Sequence, residues 1–349
     1  MKSLWYNIIK VYVKLGLFFT LKKIKVIGKE NIPKKGAVIF IGNHQNALID
    51  ALLIPTTNGR TTYFLSRASA FKNKLVKLLL SSVNMIPVYR MRDGIKTINK
   101  NYKTFEKCTE IFKEEQTIEI FAEGQHHSKR RVLPLKKGFA RIILSTLKKY
   151  PSIPIQIIPV GINYDHALKY PCSVSIFYGK PILANDFIDI TNVDLTFSAL
   201  INKVHFSLKN LTTHIEDLEQ YDELIQILEE KQVNYLDPIE VNKCLENHQN
   251  FKSIKKDEKR KFNWLVIIYV IAKLNSIFPL LIWKYLKSII KDKIFLNTYR
   301  FAVITTLFPL FYLLQTWLIY YYFDIKIAVF YLICCICLGI ISTKTTEIT

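Results

Sequence analysis

"IGNHQNALIDALLI", residues 41–54, sets one histidine between an apolar strand-like run and a helix-like run, with one carboxylate, Asp50, six residues after His44. Acids near a helix start are favoured by the helix dipole, so Asp50 could serve that end alone. A base and an orienting acid at a strand end is the other reading. Outward from this stretch, strands are predicted at 24–28, 37–41, 62–66, 117–121, 155–162 and 174–179. Helical runs fall between several of them, at 72–80, 96–113 and 138–149. That alternation predicts an α/β fold with a largely parallel sheet flanked by helices. In such sheets, sites form beyond the carboxyl ends of the strands. Four stretches sit there: 43–50, 86–94, 120–141 and 157–164.

The sequence has no Gly-rich phosphate loop, no dinucleotide fingerprint and no Gly-x-Ser-x-Gly elbow. A histidine base without a local nucleophile implies that the substrate brings the nucleophile. Half of the 349 residues are hydrophobic and the formal net charge is +21. That combination suits a protein on an anionic membrane or one that handles anionic substrates. The basic residues are scattered and no nucleic-acid-binding motif is present, so nucleic acid is not an expected partner. The six cysteines show no zinc-ligand spacing outside one apolar run and no disulfide framework, which reads as reduced thiols. His126 and His127 are adjacent and would diverge on a strand, so no metal is expected.

Residues 301–323 carry no charge, and neither do 327–343; Asp324 and Lys326 break the run. At about 1.5 Å per residue the first stretch is long enough to cross a bilayer. The expectation is a transmembrane helical hairpin. Lys284, Lys287, Lys291, Lys293 and Arg300 precede it, which places that side and the catalytic domain in the cytoplasm. Leu4, Ile8, Val11, Leu15 and Phe18 recur at helical spacing and predict an N-terminal helix lying in the membrane interface. The stretch from Trp264 to Trp283 contains Lys273, Asn275 and Pro279 and reads as interfacial or re-entrant. The expected organisation is therefore an interfacial helix (1–22), a catalytic domain (23–190), a helical connector (191–262), an interfacial or re-entrant segment with a basic loop (263–300), and the hairpin and tail (301–349).

The four stretches, in this order, resemble the glycerolipid acyltransferases that acylate glycerol-3-phosphate and 1-acylglycerol-3-phosphate. Asn43, His44 and Asp50 match the family's first block, and Arg90 matches the end of the second. Phe121, Glu123 and Gly124 match Phe-Pro-Glu-Gly, with Ala122 in place of proline. Lys136, Lys137 and Gly138 match a downstream Lys-Lys-Gly, and Ile158, Pro159 and Val160 match the fourth block. The likeness covers about residues 25 to 190. Two departures stand out: His-x5-Asp replaces the usual His-x4-Asp, and "QHHS" follows Glu123-Gly124 where Thr-Arg-Ser is usual, so Arg130 or Arg131 could supply the missing guanidinium.

The resemblance implies a membrane-bound enzyme of phospholipid synthesis. It would move a fatty acyl group from an acyl-coenzyme A or acyl carrier protein thioester to the acceptor hydroxyl, with no other cofactor and no acyl-enzyme. His44 would be the general base, assisted by Asp50. Arg90 would hold the acceptor phosphate, Glu123 and Gly124 would contact or shape the acceptor site, and Lys136 and Lys137 would face anionic groups. The leading acceptor is 1-acylglycerol-3-phosphate, followed by glycerol-3-phosphate acylated at sn-1. From a different class, a non-catalytic lipid-binding scaffold remains as an alternative.

Overall fold

The computed structural model describes residues 2–89, 101–246 and 265–345. Arg90, the expected phosphate ligand, lies outside the described residues. The central unit is an eight-stranded sheet: β1 (Lys23–Ile27), β2 (Ala37–Gly42), β3 (Thr62–Arg67), β4 (Met85–Val88), β5 (Thr117–Ile120), β6 (Ile155–Tyr164), β7 (Ser173–Tyr178) and β8 (Ile182–Leu183). Their order is β1-β7-β6-β2-β5-β3-β4, with β8 beside β6. Pairings are parallel except for β6 with β7 and with β8. β2 is buried along its whole length, as a parallel strand covered on both faces must be, and its apolar run Ala-Val-Ile-Phe-Ile meets that demand. β4 carries Pro87, which the sequence reading did not resolve into a strand. It lies at the sheet edge, where a missing backbone N–H costs least.

Helices α1 (Lys2–Thr20), α2 (Ala47–Thr57), α3 (Lys74–Ser82), α4 (Asn101–Lys113), α5 (Gly138–Lys149) and α6 (Val193–Leu211) surround the sheet. One face packs Ile39 and Ile41 against Phe112, Phe139 and Ile143 of α4 and α5, and against Leu200, Val204 and Leu208 of α6. The other face packs Val38 and Phe40 against Leu17 of α1 and Ile49 and Leu53 of α2. α6 comes from the stretch read as a connector, yet its apolar side is part of the sheet's own core. Beyond it, α7 (Tyr221–Glu230) and α8 (Pro238–Glu246) close a small separate apolar cluster around Leu228 and Val241.

Among the described residues, two helices are long and apolar enough to cross a membrane: α11 (Leu296–Tyr322) and α12 (Ile325–Thr345). Before them, α9 (Leu265–Asn275) and α10 (Ile277–Ile289) form an apolar pair bent by 83°. The bend is tied to the hairpin by polar side chains. Tyr331 donates to Asn275 Oδ1 at 2.7 Å, and Ser276 meets the Tyr312 hydroxyl at 2.6 Å. On α1 the predicted stripe Leu4, Ile8, Val11, Leu15 and Phe18 is the exposed face, while Tyr6 and Leu17 face inward. The helix docks on both apolar helices at its C-terminal half: Lys344 donates to the carbonyls of Phe18 and Leu21, and Thr343 to that of Phe19.

Candidate active site

β2 ends at Gly42, and the next two residues do different work. Asn43 is buried and makes two hydrogen bonds to one residue of β6: it donates to the Ile162 carbonyl at 3.0 Å and accepts from the Ile162 amide at 2.7 Å. This pins the mouth of β2 to its neighbour. His44 follows, with its side chain 16% exposed, enough for one edge of the ring to meet a substrate. The ring stacks on Phe121, at the end of β5, with centroids 4.1 Å apart and planes at 14°. Strand ends from both neighbours of β2 therefore fix this histidine.

His44 Nδ1 lies 3.0 Å from Asp50 Oδ2. Asp50 is fully buried. The same oxygen accepts from the amides of Gln45 at 2.8 Å and Asn46 at 2.6 Å, and Oδ1 accepts from the Tyr164 hydroxyl at 2.7 Å. All of these partners can donate, so the carboxylate is acceptor-only, and the proton on the imidazole sits on Nδ1. Nε2 is left as the basic nitrogen, with no hydrogen bond to it among the described residues. The six-residue separation does not pull the pair apart. Between them, at the start of α2, Ala47 adopts φ 37.

The Phe121–Gly124 turn carries Glu123, whose carboxyl is buried. Its Oε1 accepts from the Leu133 amide at 3.3 Å, and its Oε2 lies 3.2 Å from His127 Nε2. That approach lacks hydrogen-bond alignment. Burial pushes the Glu123 carboxyl up from its ordinary range, and His127 pulls the other way. The amide of His127 donates to the His44 carbonyl at 3.1 Å. Glu123 thus reaches the His44 loop through one intermediary. Lys136 donates its amide to the Ala122 carbonyl at 2.7 Å and lays its stem beside Gly124. Lys137 is turned away, paired with Asp194 at 3.2 Å and lying over Phe197.

Arg130 does not supply the missing guanidinium. It is half-buried, donates to the carbonyls of Tyr164 at 2.9 Å and Asp165 at 2.6 Å, and stacks 3.3 Å from the Tyr235 ring. Its work is to clamp the loop to β6 and to the α7–α8 cluster. Two residues at the site lie in stretches that the sequence places there but gives no role in acyl transfer, His126 being weighed only as a metal ligand. Tyr164 belongs to the site only because β6 adjoins β2, a strand order that no local pattern encodes. His126 stands edge-on to His44 with ring centroids 5.6 Å apart. Burial and the neighbouring His44 hold its pKa below the usual imidazole value. Its neighbours on the far side are Phe295, at 5.0 Å between rings, and Asp292, at 3.9 Å.

This arrangement can take a proton from a bound hydroxyl at His44 Nε2 and hold the resulting imidazolium against Asp50. Among the described residues no serine, threonine or cysteine side chain pairs with His44, so nothing is placed as a protein nucleophile. Residues 23–163 match the family model described as Acyltransferase. Glycerol-3-phosphate O-acyltransferase 2 of Saccharomyces cerevisiae is 28% identical over 159 residues, covering 45% of this chain and 20% of that protein. The 1-acyl-sn-glycerol-3-phosphate acyltransferase of Borreliella burgdorferi is 31% identical over 134 residues, covering 38% of this chain and 51% of that one. The matched stretch thus spans a fifth to about a half of these relatives' length. The crystal structure of the 1-acyl-sn-glycerophosphate (LPA) acyltransferase from Thermotoga maritima aligns with a TM-score of 0.43 at 20% identity, over 60% of this chain and 82% of that chain.

Proposed function

We propose, for a chain that belongs through residues 23–163 to the glycerolipid acyltransferase family, transfer of a fatty acyl group from a thioester to the hydroxyl of a glycerol-phosphate acceptor at a membrane surface. The observation that carries the reading is the His44–Asp50 pair: a partly exposed imidazole whose Nδ1 is held at 3.0 Å by a buried, fully engaged carboxylate. His44 Nε2 takes the acceptor's proton as the hydroxyl oxygen attacks the thioester carbonyl. The C–S bond breaks, and the leaving thiolate recovers the proton from the imidazolium. Asp50 keeps the ring in the productive tautomer and stabilises its transient charge. Arg90 is assigned to the acceptor phosphate, as a planar fork suited to its oxygens. Glu123 and Gly124 shape the loop beside His44, and Lys136 contributes charge there. The partners are a phospholipid membrane and an acyl-coenzyme A or acyl carrier protein thioester.

The acceptor we favour is 1-acylglycerol-3-phosphate. The likeness to the yeast glycerol-3-phosphate O-acyltransferase supports the second reading, sn-1 acylation of glycerol-3-phosphate. The head of α11 contacts the His44 loop and the end of α12 contacts Tyr170, which supports a reading in which the α/β unit and residues 343–345 lie on one side of the membrane. The cluster Lys284, Lys287, Lys291, Lys293 and Arg300 assigns that side to the cytoplasm. The deciding experiment measures thiol release from acyl-coenzyme A by purified membranes with each acceptor in turn. One acceptor should drive release, and His44→Ala should abolish it while the protein stays in the membrane. Substantial turnover by His44→Ala would sink the general-base role. A silent wild-type protein across the panel would leave the scaffold reading.

A further inference from the structure

The family match ends at residue 163, yet one side of the His44 site is built by residues far beyond it. The amide of Leu48, four residues after His44, lies 3.4 Å from Thr298 Oγ1. The side-chain amides of Asn46 and Asn297 donate to the same carbonyl, Ala167, at 3.1 and 2.7 Å. The head of α11 is therefore fastened to the catalytic loop. Just before it, the end of α10, the head of α11 and the chain between them line a half-open cleft of about 190 Å³. Its apolar lining includes Leu286, Ile290, Phe295 and Tyr299, and its polar lining is Lys291 and Asp292. Phe295 and Asp292 are also the two residues that contact His126, and His126 contacts His44. The cavity stands two side-chain contacts from the proposed base.

We propose that this cleft receives the fatty chain of the thioester donor, so that the membrane anchor and not the acyltransferase domain alone sets chain-length preference. The inference rests on the acyl-transfer reading above. Its lining is nearly as polar as apolar in surface, but the side chains of Leu286, Ile290, Phe295 and Tyr299 give an alkyl chain apolar contact there. The donor is the committed occupant because it carries a fatty chain whichever acceptor is used, whereas glycerol-3-phosphate carries none. Charge agrees: Lys287, Lys291 and Lys293 are exposed along this segment, and the phosphates of coenzyme A are anionic. The cavity is too small for a whole chain. The remainder would run along the exposed apolar face of α10, where Leu281, Ile282 and Ile289 are open.

The test fills the cleft in the full-length protein with Leu286→Trp and, separately, Ile290→Trp, and compares palmitoyl- with octanoyl-coenzyme A at one fixed acceptor. Both donors should lose kcat/KM, and the palmitoyl-to-octanoyl ratio should fall about tenfold, equivalent to roughly two further methylenes left unburied for the longer chain. Leu286→Ala should move the preference toward longer chains. A ratio unchanged in both tryptophan variants, with wild-type transfer intact, overturns the inference and leaves the acyl-transfer reading standing. Should either tryptophan variant lose both donors completely, cross-linking decides. A hexadecyl thioether of coenzyme A with a terminal diazirine, photolysed on the wild-type protein, should label residues 286–299. Labelling confined to other segments overturns the inference. A wild-type protein that releases thiol with no acceptor removes the underlying reading and this inference with it.

Discussion

Asp50 accepts from His44, two backbone amides and Tyr164, and lies with its side chain out of water. Asn at this position would turn part of that acceptor into a donor facing other donors. Asp50→Asn should lower turnover by roughly 10²- to 10⁴-fold, as for other carboxylates that orient a histidine base. A rate near wild type in the thioester assay would show that the pair is not the working base. Glu119, on β5, is a different case. It is fully buried and neither carboxyl oxygen has a hydrogen-bond partner among the described residues. Burial first, and then the charge of Asp50, raise its pKa well above the carboxylate range. The folded chain therefore keeps a proton that the unfolded chain releases above about pH 4.3. Stability from this group is full below that pH and drains away as pH climbs toward the raised folded value. Glu119→Gln should thus be close to neutral at pH 4 and progressively stabilising toward pH 8, read as melting temperature in detergent across that range. An advantage that does not grow with pH would mean Glu119 is ionised in the fold. At this scale the sequence shows the residue types with chemistry, His44 and Asp50, because they occur together at a strand-to-helix junction. It does not show Tyr164 or His126, whose relation to His44 depends on strand order and on a helix more than a hundred residues away.

The helices and the strands were largely legible as elements, because the central strands are continuous apolar runs and the helices alternate with them. The exceptions have physical causes. β4 is short and carries a proline, so it makes a strand only by borrowing the edge of β3. α6 looks polar in sequence because one side is solvated, while Leu200, Val204 and Leu208 on the other are fully buried. The end of that helix explains a glycine. A Cβ on Gly161 of β6 would lie 2.0 Å from the backbone carbonyl oxygen of Leu211. No rotamer change relieves a clash with backbone, so Gly161→Ala must push α6 off the sheet. Unfolding should be easier by about 1–3 kcal/mol, the usual cost of overpacking. A denaturation midpoint equal to wild type would show that the strand and helix can separate freely. The α1 stripe illustrates the limit of periodicity. Apolar spacing alone cannot say whether a face meets core or lipid, and here the five predicted positions are the exposed ones.

The molecule as a whole is an α/β unit fastened to apolar helices by α1 against α11 and α12 and by the head of α11 against the His44 loop, and the α9–α10 bend is fastened in turn to the hairpin. The first contact is tight. A Cβ on Gly16 would lie 2.3 Å from Thr305 Cγ2. Deleting residues 301–349 would strip that cover from α1 and leave the exposed apolar faces of α1, α3 and α9–α10 as apolar attachments. The full chain should resist salt and need detergent for extraction. The truncated chain should be loosened by salt, because basic residues near an anionic surface contribute about 1 kcal/mol each and that attraction is screened. A truncated chain fully soluble at low salt would place the exposed faces of α1 and α9–α10 away from lipid. One consequence follows from α11 being anchor and clamp at once. A helix of 27 residues extends about 40 Å, longer than the hydrocarbon core, and such helices accommodate by tilting. Tilt at its head acts on Thr298 and Asn297, and through them on Leu48 and Ala167. Turnover should therefore depend on bilayer thickness. Vesicles of short-chain and long-chain phosphatidylcholine should give different rates from one protein, and Thr298→Val together with Asn297→Ala should bring those rates together, making lipid length a setting of the catalyst.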